Sequence, residues 1–153
     1  MAGRAGRPIR RIAAFWDTSA LVPLCVRQRA TVRATALYAA QDIVIWWTTP
    51  VEIASALARL VRIHQINPSD YAKARKLAQV LSHSWSVIQP SDALRELATQ
   101  LVERYDLRAA DSLQLAAAIE WSEGAPNGRT FLTADDRLRN AALLAGFEAS
   151  NLT

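Results

Sequence analysis

The sequence predicts an α/β fold, with a central, mostly parallel sheet of four or five strands covered by helices on both faces. Two observations carry this. Short apolar runs rich in β-branched and aromatic residues alternate along the chain with longer segments that carry helix signals. Most of these runs also lead into residues that open a helix, as parallel strands joined by crossovers require.

The elements follow in order. Ile9 to Trp16 reads as the first strand and stops at the helix-start signal Asp17-Thr18-Ser19. Helices are expected over Ser19 to Arg27 and Ala30 to Ala40, then a second strand over Asp42 to Trp47. Thr49-Pro50-Val51-Glu52 reads as a capping box with proline at the first helical position. The helix it opens carries Ile53, Ala56, Leu57, Leu60 and Ile63 on one face. Asn67-Pro68-Ser69-Asp70 opens a helix to about Ser82, and Trp85 to Gln89 is a short third strand. Pro90-Ser91-Asp92 starts a helix ending near Tyr105, and Arg108 to Trp121 is the least polar helix. After a loop rich in Gly and Pro come a fourth strand, Thr130 to Thr133, and a last helix, Asp135 to Ala145, stopped by Gly146. Phe147 to Ala149 is a fifth, short strand. No repeat, low-complexity tract or linker divides residues 1–153, so a single domain is expected, with residues 1–11 a basic lead-in.

Composition excludes several classes. Cys25 is the only cysteine, so neither an intramolecular disulfide nor a cysteine zinc site is available, and it reads as a buried small hydrophobe. No window approaches a membrane span, and the lead-in lacks the apolar core of a signal peptide, so a cytoplasmic protein with no membrane contact is expected. Nucleotide-cradling glycine loops and the H-E-x-x-H zinc motif are absent. Lys and Arg number 18 against 14 Asp and Glu. If four acids form one site, the remaining surface sets 18 positive against 10 negative residues, a basic body around an acidic pit, suited to a polyanion.

Four acids are candidates for that pit. Asp17 ends the first strand, Asp135 follows the fourth, and Glu52 begins the helix after the second, so all three fall at carboxyl ends of strands, where such sheets bind ligands. Asp111 lies in an otherwise apolar helix, where an unpaired carboxylate is costly and a nearby cation relieves the cost. Each acid also has a plainer role: Asp17 and Asp135 as helix caps, Glu52 as the capping-box acid, Asp111 as a partner of Arg108. Asp136 is placed to swap with Asp135. Together the carboxylates supply the hard oxygen donors that Mg²⁺ or Mn²⁺ prefers, with Thr18, Ser19 and Thr133 as hydroxyls that orient them. Ser19 as a nucleophile is the rival, but His64 and His83 fall where neither serves as its base. Most of the five tryptophans are expected in the core, while an exposed member of Trp46-Trp47 would stack a base.

Four segments resemble the motifs of PIN domains. Ala14-Phe15-Trp16-Asp17-Thr18-Ser19 is similar to their opening motif. Thr48-Thr49-Pro50-Val51-Glu52 is similar to the second, Leu107-Arg108-Ala109-Ala110-Asp111-Ser112 to the third, and Phe131-Leu132-Thr133-Ala134-Asp135 to the fourth. Among PIN domains the chain looks most like the VapC-like toxins of toxin–antitoxin pairs. The resemblance implies a three-layer α/β/α sandwich and RNA cleavage at a Mg²⁺ or Mn²⁺ site. Asp17 and Asp111 would hold the principal ion, with Glu52 and Asp135 completing the site, and a metal-activated water would attack the phosphodiester in line. It also implies a homodimer and a VapB-like antitoxin that plugs the pit. Arg108 and Arg137 are the nearest candidates to hold the RNA backbone. Two features depart from the pattern: the basic segment Ala2 to Arg11, read as an extra RNA contact, a start-site artefact or a tail, and the pair Trp46-Trp47. The rival readings are an RNA- or protein-binding module without catalysis, and a nuclease of RNA maturation.

Overall fold

The structure, a computed structural model, describes residues 10–152. Five strands form one sheet: β1 (Ile12–Trp16), β2 (Gln41–Trp46), β3 (Ser86–Ile88), β4 (Thr130–Thr133) and β5 (Glu148–Asn151). Their order is β3-β2-β1-β4-β5, and every pair is parallel. Between β1 and β2 run α1 (Thr18–Cys25) and α2 (Thr31–Ala40). Then come α3 (Thr49–Arg62) and α4 (Pro68–Ser82) before β3, α5 (Asp92–Tyr105) and α6 (Ala109–Trp121) before β4, and α7 (Asp136–Ala145) before β5.

Strand alternation divides the core into two layers. Phe15, Val44, Trp46 and Phe131 point to the face covered by α5, α6 and α7, where Leu94, Leu115 and Leu138 meet them. Ala14, Trp16, Ile43, Ile45 and Leu132 point to the other face, against Leu21, Ile53, Leu57 and Ala74 of α1, α3 and α4. Phe131 is central to the first layer, with ring centroids 5.3 Å from Phe15 and 5.7 Å from Phe147. Strands buried on both faces explain why these runs are apolar throughout rather than alternating with polar residues.

Most expected elements are present, and the differences have local causes. The first strand starts at Ile12; Ile9 lies outside the described residues. The second strand ends at Trp46, so Trp47 leaves the sheet and is exposed. The first helix stops at Cys25, where Val26 turns extended, rather than at Arg27. Ile63 is the C-cap of α3 and exposed, so the buried stripe of that helix closes at Leu60. Cys25 is half-buried rather than buried, and burial pushes its thiol up to about 11. Arg11 is the part of the basic lead-in that can be placed, apart from an exposed Arg10. It bonds Tyr38 O and Gln41 O and pairs with Asp42 at 3.2 Å, locking the start of β1 to the end of α2. That is the end of the sheet opposite Asp17, about 20 Å along the strand direction. Among the described residues no helix is long and apolar enough to cross a membrane.

The strand order places a topological switch between β1 and β4. From β1 the chain moves outward through β2 to β3, then returns across the sheet to β4 on the other side of β1. Crossovers leave in opposite directions there, and the carboxyl ends of β1 and β4 border the crevice.

The layering predicts a sharp contrast in stability. Phe131→Ala should lower unfolding free energy by about 3–5 kcal/mol, because it empties the centre of the aromatic cluster. Val87→Ala, on edge strand β3 and 39% exposed, should cost well under half as much. Urea titrations followed by tryptophan fluorescence check both; equal losses would contradict the layering.

Candidate active site at the carboxyl ends of the strands

Asp17 follows β1 directly and caps α1, accepting the Ser19 N–H at 3.3 Å. Its side chain is nonetheless almost wholly enclosed, with 4% exposure. Two hydroxyls also donate to it, Ser19 Oγ and Thr133 Oγ1, the latter at 2.8 Å. These bonds all fall on Oδ2, and Oδ1 accepts none among the described residues. The hydroxyls are themselves held. Thr133 Oγ1 accepts the Asp135 N–H at 3.0 Å, and Ser19 Oγ accepts the Ala134 N–H at 2.8 Å. The end of β1 is thereby tied to the turn that follows β4. Burial pushes the Asp17 carboxyl up to about 6, the two hydroxyls oppose this, and the charges of Glu52 and Asp111 raise it further.

Glu52 does not belong to a capping box. The N-cap of α3 is Thr48, whose backbone is already helical (φ −81°, ψ −8°) and whose side chain makes no cap bond. A capping box needs an extended residue at that position. Thr49 is instead the first helical residue, fully buried, with its hydroxyl 3.2 Å from Gln114 Nε2. The Glu52 carboxylate turns to three donors: Thr48 Oγ1, Thr18 Oγ1 at 2.9 Å and Gln114 Nε2 at 3.1 Å.

Gln114 is the residue that sequence reasoning missed. It is fully buried in α6, and its amide reaches Thr18 at 3.1 Å as well as Thr49 and Glu52, joining three helices at one point. Its Oε1 has no partner among the described residues. The signal was present in the sequence. A lone amide in the middle of an apolar helix must find polar partners, for the same reason that a carboxylate there must.

Asp111 is not interior to its helix. It is the third residue of α6, in the first turn, where the helix dipole favours an acid. It is half-buried and accepts no hydrogen bond among the described residues. Burial raises its pKa first and Asp135 next; Glu52 adds to this, while Arg108 and Arg137 pull it down. Asp111 is therefore the acid that feels or acts on each of the other three. Asp135 is exposed and caps α7, its Oδ1 accepting the Leu138 N–H at 2.8 Å. Asp136 is committed to Arg139 at 3.3 Å and to Asn151 at 2.8 Å.

The four acids thus share one electrostatic neighbourhood. Among the described residues, however, no group of three or more His, Cys, Asp or Glu side chains is placed to hold a metal ion as it stands. Ser19 is a brace rather than a nucleophile: its hydroxyl is taken up by Asp17 and Ala134. His83 caps the end of α4, and His64 lies in a left-handed turn after α3.

Two outcomes follow for the metal-free protein. Asp17 binds its proton more tightly folded than unfolded, where the carboxyl titrates near 3.8. Its ionisation therefore removes stability as pH rises from about 4 to about 6, and the loss is complete above that window. Asn cannot titrate and caps a helix equally well. The advantage of Asp17→Asn over wild type in EDTA should grow between pH 3.5 and pH 7, by up to about 3 kcal/mol. Thermal melts across pH measure it, and a pH-independent difference would refute it. Gln114→Met, of similar size but without the amide, should cost about 1–3 kcal/mol, since Glu52 loses a buried donor. Denaturant unfolding checks that value.

The sequence matches the PIN domain family over residues 14–144. No curated protein matches it. The fold resembles a toxin–antitoxin complex chain from Klebsiella pneumoniae, with 20% identity, TM-score 0.63, and coverage of 92% of this chain and 98% of that one. It also resembles a protein from Pyrobaculum aerophilum, with 20% identity, TM-score 0.64, and 92% and 90% coverage. A third likeness is to VapBC2 from Rickettsia felis, bound to a DNA fragment from its promoter, with 14% identity, TM-score 0.61, and 92% and 98% coverage. At these identities the structural likeness speaks for the fold. The family match runs from within β1 almost to the end of α7 and spans all four acids, and on that ground the chain belongs to the PIN domain family.

Proposed function

We propose that this chain is a divalent-metal-dependent endoribonuclease of the VapC type, the toxin of a toxin–antitoxin pair. The observation that carries the reading is Asp17: a carboxyl group buried at the switch point of a parallel sheet, its pKa raised by burial and by two neighbouring acids, with one oxygen that accepts no hydrogen bond among the described residues. An enclosed anion among like charges is costly alone and favourable beside a cation.

The donor chemistry fits a hard ion. Asp17 offers Oδ1, Asp111 a carboxylate without hydrogen bonds, and Asp135 the oxygen not used in its cap. Glu52 is held by three donors and sets the far wall of the pit. Repulsion among unneutralised carboxylates favours the open spacing of these groups. When bound, Mg²⁺ or Mn²⁺ supplies charge neutralisation at the scissile phosphate and acidity for a water nucleophile. Thr18, Ser19, Thr133 and Gln114 keep the carboxylates in fixed orientations, so that little reorganisation is left for the reaction. Arg108 and Arg137 are exposed and within electrostatic reach of Asp111, which suits them to the RNA phosphates on either side.

The partners in this reading are single-stranded RNA, a second copy of the chain and a VapB-like antitoxin. Support for the antitoxin comes from the toxin–antitoxin complexes among the fold's neighbours. It also comes from a groove lined by Val22, Ala56, Leu60 and Arg59, which reaches Ser19 beside Asp17. A segment lying in that groove is positioned to extend an arginine onto the carboxylates.

Purified protein with Mn²⁺ should cut single-stranded RNA, and excess EDTA should abolish the cut. Asp17→Asn should reduce cleavage by more than the roughly 10- to 100-fold typical of losing an outer partner of a metal ligand. At matched expression, wild type should arrest growth and Asp17→Asn should not. Undiminished cleavage by Asp17→Asn, or in EDTA, would overturn the catalytic reading. Cleavage without growth arrest would favour RNA maturation over toxicity.

A further inference from the structure

Trp47 is 54% exposed beside a sheet whose other tryptophans, Trp16 and Trp46, are buried. The cause is local. Trp46 is the last residue of β2 and its alternation sends it into the core, so the next indole leaves the sheet at its carboxyl edge. It stands over a cleft of about 380 Å³ between the end of β2 and the start of α5, a size suited to a small planar ligand.

We infer that this cleft is a nucleobase subsite, in which an unstacked base of single-stranded RNA lies against Trp47 next to the cleavage site. The inference rests on the ribonuclease reading above and adds how the substrate is gripped. Three features support it. First, Thr48 lines the cleft and also donates to Glu52, so the cleft and the carboxylate pit share a wall. Trp47 and Thr48 are consecutive, with Cα atoms about 3.8 Å apart. A nucleotide seated in the cleft therefore has its phosphate close to the acids.

Second, the cleft offers both a stacking surface and polar edges. Its inner part is apolar, formed by Leu94 and Leu113 with the Trp46 ring. At the rim, Arg95 and Asp92 pair at 3.0 Å and are both well exposed, presenting a donor and an acceptor side by side. Such an exposed pair contributes little to folding.

Third, the exposed indole is bordered by Arg95, Thr48, Ser91 and Asp92 as well as by Pro90. An aromatic face beside a cation and polar groups is an arrangement that binds single-stranded nucleic acid through stacking.

The test separates binding from cleavage. In the Asp17→Asn background, affinity is measured by fluorescence anisotropy for a labelled single-stranded RNA heptamer of mixed sequence. The same heptamer carrying an abasic nucleotide at each position in turn serves as the probe for the subsite. Stacking of one base predicts that Trp47→Leu weakens binding about 5- to 150-fold, while Trp47→Phe retains most of it. One abasic position should reproduce the loss, and on that RNA Trp47→Leu should add nothing further. Binding of the heptamer unchanged by Trp47→Leu would overturn the subsite while leaving the nuclease reading intact. So would loss of self-association in sedimentation without loss of RNA affinity, which would assign Trp47 to a subunit contact. Failure of the unsubstituted protein to bind or cut any RNA would overturn both readings.

Discussion

Thr133 donates its hydroxyl to Asp17 across the crevice between β1 and β4 and accepts the backbone N–H of Asp135. Ser19 makes the matching bridge from the other side, from Asp17 to the N–H of Ala134. These two hydroxyls hold the carboxyl end of the central strand to the turn after its neighbour. The geometry of the pit depends on them, because parallel strands leave their carboxyl ends open and nothing in the ladder hydrogen bonds fixes the loops beyond. Using both donors on one oxygen of Asp17 leaves the other free to face a cation.

A second knot fixes the opposite wall. Glu52, Thr18, Thr49 and Gln114 converge from α3, α1 and α6, which lie on both faces of the sheet. A polar network at this depth is stable only when its members satisfy one another. It therefore sets the relative positions of three helices as well as the direction of one carboxylate. Gln114 Oε1, left without a donor among the described residues, follows from turning the amide nitrogen toward Glu52, since the reverse orientation would set oxygen against carboxylate. Fold stability and site preorganisation come here from the same bonds.

The charge arrangement completes the picture. Asp17 and Asp111 are both raised by burial and by each other's neighbours, whereas Arg108 and Arg137 temper only Asp111. The deepest acid is thus the one without a compensating arginine among its main influences. That gradient, from a buried uncompensated carboxylate to arginines at the surface, is the one the proposed metal and RNA sites would use.

Much of this was legible in the chain itself. Apolar strands punctuated by Asp17-Thr18-Ser19, Asn67-Pro68 and Pro90-Ser91 announced a parallel α/β sheet, and Gly146, at φ 107°, ended the last helix as its lack of a side chain allows. The four acids could be named from the chain only as candidates, each with a plainer role as cap or ion-pair partner, and the structure brings them into one electrostatic neighbourhood. The roles of Glu52 and Gln114 were not legible there. Local pattern assigned Glu52 to a capping box, but Thr48 adopts helical backbone and three donors from other elements claim the carboxylate. Likewise, sequence order could not tell which of Trp46 and Trp47 would be buried; the end of β2 decided it. Periodicity and caps are properties of neighbouring residues, so the sequence by itself determined the elements and the candidate acids. Which polar groups meet depends on contacts between residues as far apart as 17 and 133 or 18 and 114, and those only the packed tertiary structure could decide.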